Sequence, residues 1–324
     1  MPALRPAPTV ALNDGTRIPV IGLGTYMGNP LGRRLESDVG QVEQAVLDAI
    51  DIGYRHVDGA LLYQNEEEVG RAVRAKIAQG VIKREDMFIC TKLWNNSHHP
   101  DAVESTCRKS LSNLGLDYVD LYLMHWPVAF RDGDDLKPLG PDGKVLFSHV
   151  DILDTWRAME QLVRKGLTRS IGVSNFNERQ LRRLMDHCSI RPVVNQVECH
   201  PYLSQAPLLA LCQQLGVRVV AYSPFGSPES DWSLGKVDRL LDDPTIAEVG
   251  RRHGKTPGQV ILRSLVQRGA IPIPKSVTKS RIRENFDIFD FELSAQDMAT
   301  LEALNKNRRM CPFLEGLGHP EYPF

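Results

Sequence analysis

Cysteine is scarce in this chain: six in 324 residues, at positions 90, 107, 188, 199, 212 and 311, with no CxxC pair among them. That excludes a disulfide scaffold, gives no zinc signature and suits a reducing compartment. Long apolar runs are missing too. No window reaches the roughly 18 apolar residues that signal a membrane span, and the proline-containing opening lacks the apolar core of a signal peptide. A cytoplasmic protein without a membrane partner is expected. Neither sign of charge is in excess, with Lys plus Arg at 39 against Asp plus Glu at 40, so no net field would gather nucleic acid or anionic lipid. What is present is an ordinary globular composition, 42% hydrophobic and 24% charged, sufficient for a large buried core. The length suits two domains or one large α/β barrel.

Short β-branched runs alternate with longer amphipathic segments, the pattern of βαβ units around a parallel sheet. Candidate strands fall at 20–24, 56–58, 88–92, 119–125, 170–174, 193–197, 218–222 and 270–274. Candidate helices fall at 39–52, 66–79, 100–114, 152–165, 178–188, 206–215 and 245–253. Eight strands predict a closed (β/α)8 TIM barrel, in one domain spanning 1–324. The spacing agrees: Asp58 to Lys92 is 34 residues and Lys92 to His125 is 33, near the roughly 31 per unit of such barrels. Two intervals run long and hold the Gly-, Pro- and Asp-rich stretches 127–143 and 223–244, which predicts two long βα loops on the face where barrels build their sites. Asn13-Asp14-Gly15 between 9–12 and 16–18 predicts an N-terminal β-hairpin plugging the barrel floor. Near the other end, Ser294 and Asp297 form a capping-box start for a helix over 294–304, and an irregular C-terminal loop follows.

Gly22, Gly24 and Gly28 are a poor match to a dinucleotide fingerprint. The third glycine comes one residue late, and Pro30 stands where the phosphate-binding helix would begin. The stronger signal is at the strand ends. Asp58 closes the second strand, Lys92 the third and His125 the fourth, so a barrel crowds all three on one rim, and Tyr63 follows Asp58 closely enough to reach back over the same mouth. A phenol is an indifferent acid at neutral pH. A neighbouring ammonium is expected to lower its pKa, and a carboxylate behind the ammonium keeps it charged and oriented. A histidine one strand over can hold a carbonyl oxygen by a hydrogen bond. Singly, Asp58 and Lys92 suit a structural ion pair and His125 a core histidine; the shared rim favours chemistry. His98, His99, His149, His187, His200, His253 and His319 have no partner at ligand spacing and read as surface or loop residues, with no metal site.

The segments 55–66, 91–94, 121–127, 171–176 and 273–278, in that order along nearly the whole chain, closely resemble the aldo-keto reductases. The resemblance implies a barrel, monomeric in many members, that reduces aldehydes or ketones with NADPH and without a metal. It makes Tyr63 the general acid, Lys92 and Asp58 its tuning pair, and His125 the residue that orients substrate. It places Ser174, Asn175 and Gln196 at the nicotinamide carboxamide, with Tyr222 stacking on the ring, and Gly24, Thr25, Tyr26 and Asp58 along the cofactor. The loop bearing Ser223, Phe225, Ser227 and Glu229 resembles the one that folds over the pyrophosphate. Lys275, Ser276, Val277 and Thr278, then Arg281, Glu284 and Asn285, follow at the 2′-phosphate, where Lys and Arg favour NADPH over NADH.

For the substrate pocket, Tyr26, Trp94, Trp126, Phe130 and Trp232 supply aromatic walls beside His125. Cys311, Phe313 and Leu314 resemble the family's C-terminal specificity loop. Apolar, aromatic or steroid-like carbonyls fit such walls at least as well as open-chain sugars. A long loop over 27–38, and Tyr26 where several members have tryptophan, depart from the family pattern without touching the four rim residues. Two other readings stay open: a Schiff-base lyase using Lys92, and a regulatory or structural relative that binds the nucleotide without turnover.

Overall fold

The computed structural model describes residues 6–27, 39–226 and 239–324. Strands β1 (Thr9–Ala11) and β2 (Arg17–Pro19) pair as an antiparallel hairpin, with Val10 opposite Ile18. Gly15 at φ +87° supplies the left-handed turn conformation that the Asn-Asp-Gly signal implies. Eight parallel strands then follow in sequential order: β3 (Leu23–Gly24), β4 (His56–Asp58), β5 (Phe88–Leu93), β6 (Val119–Met124), β7 (Thr168–Ser174), β8 (Val194–Glu198), β9 (Arg218–Tyr222) and β10 (Ile271–Pro272). Gly22 and Gly24 donate their N–H groups to the carbonyls of Pro272 (3.0 Å) and Pro274 (3.1 Å), and Gly24 bridges Lys275. The sheet therefore closes on itself as the expected barrel. The last strand is shorter than the expected 270–274, because Pro272 and Pro274 have no N–H to give a ladder. Gly24 must be bare at the seam, since a Cβ there would lie 2.7 Å from the carbonyl oxygen of Ile273.

Ten helices are described: α1 (Gln41–Ile52), α2 (Glu66–Ala78), α3 (Pro100–Leu114), α4 (Ile152–Arg164), α5 (Glu178–His187), α6 (Ala206–Leu215), α7 (Pro244–His253), α8 (Pro257–Gln267), α9 (Lys279–Phe286) and α10 (Ala295–Glu302). The Ser294–Asp297 capping box forms as read. Helix α8 is an addition to the sequence reading, which gave no helix between His253 and the last strand. Gly254 at φ +63° stops α7, and two residues later Thr256, boxed with Gln259 ahead of Pro257, starts α8.

The period of two along each strand divides the core in two. Val57, Ile89, Tyr122, Met124, Ile171 and Val173 face outward into the shell beneath the helices. Cys90, Leu121, Leu123, Val194, Val220 and Ile271 face inward and meet Leu12 and Ile18 from the hairpin. Asn13 Nδ2 donates to the Pro192 carbonyl at 2.9 Å and Ser170 Oγ donates to Asp14, so the hairpin does plug the floor. By the same parity Asp58, Lys92 and His125 fall on the inward side at the opposite, C-terminal end.

Candidate active site

The structure brings the four rim residues together. Lys92 Nζ, wholly buried, donates to Asp58 Oδ2 at 2.7 Å, to the Gly59 carbonyl at 2.8 Å and to the Tyr63 hydroxyl at 3.4 Å. Tyr63 sits on a short turn of 3-10 helix, Leu61–Tyr63, directly after β4. Its ring lies edge-on to His125 with centroids 5.8 Å apart and against Tyr26 at 5.0 Å. His125 also lies edge-on to Trp94 at 5.0 Å, and its buried Nδ1 has no hydrogen-bond partner among the described residues. The sequence reading named Gln196 for the carboxamide but not for its contact with Asp58: Gln196 Nε2 donates to Asp58 Oδ1 at 2.8 Å across the barrel. Strand parity was the available signal, since Gln196 shares the inward side with Val194.

Burial and charge set the protonation states. Burial pushes the Tyr63 phenol up, and the Lys92 ammonium only partly offsets it, leaving a pKa of about 12. This corrects the expectation of a net lowering: the cation acts as foreseen, but desolvation is larger. For Lys92 burial is the largest single influence and opposes the charge, yet the charge and hydrogen bond of Asp58 together with Tyr63 and Cys90 outweigh it, and the pKa stays above its ordinary value. Burial, helped by Lys92, holds His125 well below the usual imidazole range. At neutral pH the site therefore contains a protonated phenol, an ammonium and a neutral imidazole.

Next to this cluster a second set is pre-bonded. Ser174 and Gln196 face each other in register, and Ser174 Oγ donates to the Gln196 carbonyl at 2.8 Å. Asn175, in the left-handed region at φ +63°, donates to the His125 carbonyl at 3.0 Å and accepts from the Tyr222 hydroxyl at 2.8 Å. Thr25 Oγ1 donates to the Asp58 carbonyl at 2.8 Å. Lys275 and Arg281 are exposed and carry no ion pair among the described residues, whereas nearby Lys279 is engaged by Asp48 at 2.7 Å. Ser276 and Asn285 are buried, Val277 is half-buried and Thr278 exposed. Glu284 is spent at the start of α8, accepting from Thr256 Oγ1 at 2.8 Å. Phe225 packs against the outer core beside Gly258. Ser227, Glu229 and Trp232, with the loop 28–38, lie outside the described residues.

The aromatic wall assembles from distant segments. Trp126 stacks on Phe313 at 4.0 Å and 15°, while Trp94 and Phe130 approach Phe313 at 6.4 and 6.1 Å. Phe130, 1% exposed, backs the wall rather than surfacing it. Leu314 is exposed, and Cys311 Sγ lies 3.7 Å from Ser223 Oγ. Histidines read as surface residues need correction: His319 is buried against the Ser148 carbonyl at 3.2 Å, His98 is fully buried with neither ring nitrogen bonded to a described residue, and His200 is buried against Glu198 at 2.9 Å. His98 and His200 belong to segments that follow strand ends, and composition alone does not reveal that those segments fold inward. Among the described residues no cluster of three metal-ligating side chains occurs.

A model of the Aldo/keto reductase family matches residues 20–306. The chain is 47% identical to aldo-keto reductase family 1 member A1-A of Danio rerio, over 98% of each chain. It is 46% identical to prostaglandin F synthase 1 of Bos taurus, over 97% of each. Among solved structures, the aldose reductase from Schistosoma japonicum superposes with a TM-score of 0.89 at 43% identity, covering 98% of both chains. The Bombyx mori aldo-keto reductase in complex with NADP also gives 0.89, at 44% identity, covering 99% of this chain and all of that one, 100%.

Proposed function

The chain belongs to the aldo/keto reductase family, and from that premise we propose that it reduces an aldehyde or ketone to the alcohol with NADPH, using Tyr63 as the proton donor. The observation that carries this is the buried relay in which Lys92 Nζ contacts both Asp58 (2.7 Å) and the Tyr63 hydroxyl (3.4 Å) beside His125. A carbonyl oxygen lodged between Tyr63 Oη and the His125 ring meets a phenol that is still protonated at pH 7. Proton transfer leaves a tyrosinate, and the buried ammonium beside it stabilises that charge as it develops. Asp58, itself held by Gln196, keeps the ammonium fixed. His125, neutral, orients the carbonyl by a hydrogen bond and is not the acid.

The residues present fit the nicotinamide cofactor. A hydroxyl and two amides at Ser174, Asn175 and Gln196 offer the donors and acceptors a carboxamide needs, and Tyr222 offers a ring whose hydroxyl is tethered. Lys275 and Arg281 are two cations without an acid partner among the described residues, suited to a 2′-phosphate. NADPH, when bound, supplies the hydride to the carbonyl carbon.

The lyase reading fails on Lys92, whose nitrogen donates to three acceptors and is held as an ammonium with no lone pair for attack. The complete relay favours turnover over a purely nucleotide-binding role. Trp94, Trp126 and Phe313 favour apolar or aromatic carbonyls. The whole of 1–324 is read as one domain, since Arg218 Nε donates to Ala11 at 3.2 Å from the barrel wall and the C-terminal segment packs on its mouth. A monomer in the cytoplasm is what the family resemblance implies; the six cysteines are unbridged, and no described helix is long and apolar enough to cross a membrane. The test is loss of NADPH absorbance with a panel of aldehydes and ketones. No consumption with any of them refutes the reading.

A further inference from the structure

Glu198 ends β8 two residues beyond Gln196, on the inward side of the strand, and its carboxylate is 0% exposed. A buried charge is tolerated only where its oxygens are filled. Here they are filled chiefly by one stretch of chain more than a hundred residues away. Oε1 accepts from the Met310 N–H at 2.7 Å and from His200 Nε2 at 2.9 Å, and Oε2 accepts from the Cys311 N–H at 3.0 Å. Arg309 Nη1 lies 3.7 Å from Oε2, and its guanidinium covers the Phe324 ring at 3.4 Å, which in turn meets Trp126 edge-on at 5.8 Å. Two residues past this socket comes Phe313, whose backbone is left-handed at φ +52° and whose ring stacks on Trp126. A phenylalanine in that conformation is strained and persists only where its surroundings impose it.

We propose that Glu198 is a positioning residue for substrate specificity: its carboxylate anchors 309–311 and thereby places Phe313 against Trp126 and Trp94, so that it governs binding of aromatic carbonyls and not the proton transfer. This rests on the reading of Phe313, Trp126 and Trp94 as the substrate wall. Substrates too small to reach Phe313 are indifferent to the anchor.

The test is Glu198→Gln, assayed with 2-naphthaldehyde and with propanal, together with hydrogen–deuterium exchange of the intact protein. The amide retains one acceptor oxygen in place of two. Faster exchange of the Met310 and Cys311 amides is expected, with the barrel strands unchanged. KM for 2-naphthaldehyde rises about tenfold, the loss appropriate to a hydrogen bond to a charged group, while kcat and the propanal KM stay within twofold. In a Phe313→Ala background the same substitution no longer changes the naphthaldehyde KM. Equal losses for both aldehydes, or unchanged exchange at 310 and 311, overturn the proposal. If Glu198→Gln does not fold, Glu198→Asp, which keeps the charge on a shorter arm, must show the same split; wild-type behaviour there, or failure of both variants to fold, overturns it equally. Absence of turnover by the wild type with either aldehyde strikes at the proposed function instead, and the exchange measurement then decides the anchor alone.

Discussion

Replacing Tyr63 with phenylalanine separates chemistry from packing at a single atom. The ring keeps its contacts with Tyr26 at 5.0 Å, with His125 at 5.8 Å and with Lys92 Nζ 5.0 Å from its centroid. Only the hydroxyl is lost, with one long hydrogen bond of 3.4 Å from Lys92. A bond at that length is marginal, and Lys92 retains Asp58 and Gly59, so the cost to folding stays below about 1 kcal/mol. The cost to catalysis is of another order. A positioned general acid contributes about 10²–10⁴ in rate, or roughly 3–5 kcal/mol of barrier. Single-turnover NADPH oxidation by Tyr63→Phe should therefore fall at least about a hundredfold, while the NADPH dissociation constant, read from protein fluorescence, and the urea midpoint hold near the wild-type values. A variant that retains more than a tenth of the wild-type single-turnover rate refutes Tyr63 as the acid. A matching collapse in cofactor affinity shows that the hydroxyl is structural.

Lys92→Met leaves Asp58 buried without its cation and should destabilise the fold by about 3–5 kcal/mol in urea unfolding, with Lys92→Met/Asp58→Asn recovering most of it; an additive double variant contradicts that account. Arg281→Ala should weaken NADPH binding far more than NADH binding, measured by titration, and equal weakening of both removes Arg281 from the 2′-phosphate. Burial lowers the pKa of His56 to about 4 and of His98 to about 3 and holds His125 well below its ordinary value. Imidazoles harder to charge in the folded than in the unfolded chain stabilise fully above about pH 6.5, and that stability is lost as pH falls toward 4 and then 3, by up to about 1.4 kcal/mol per pH unit for each group. Urea midpoints measured between pH 7 and 4.5 should fall steadily; a flat or rising series is incompatible with neutral buried histidines.

The barrel and its rim were legible because both follow from alternation along single strands. Each of Asp58, Lys92 and His125 is preceded by apolar strand residues of opposite parity, and that local fact fixes which way it points. Tyr63 was legible from its distance to Asp58. Helix α8 was less so, since its signal is a Thr256–Gln259 box directly behind another helix, where one amphipathic pattern runs into the next. Quantities that depend on surroundings were not legible. The sign of the Tyr63 shift is decided by how much water the fold removes from the phenol, against one ammonium whose effect was foreseen. The burial of His98 and of Glu198 is likewise set by what folds over them, and no neighbour in sequence records it.

The same distinction explains where the site's two functions reside. The proposed acid and its tuning pair sit on strands and on the turn that leaves one, fixed by a ladder in which β4, β5 and β6 are consecutive neighbours, so their spacing is a property of the barrel. The aromatic wall is a property of connections: Trp94 leaves β5, Trp126 leaves β6, and Phe313 arrives from beyond α10. Loops can be lengthened or repacked without disturbing the ladder. A change of substrate therefore requires only that the connections and their anchor at Glu198 shift, whereas a change of reaction requires the strands themselves to carry different residues.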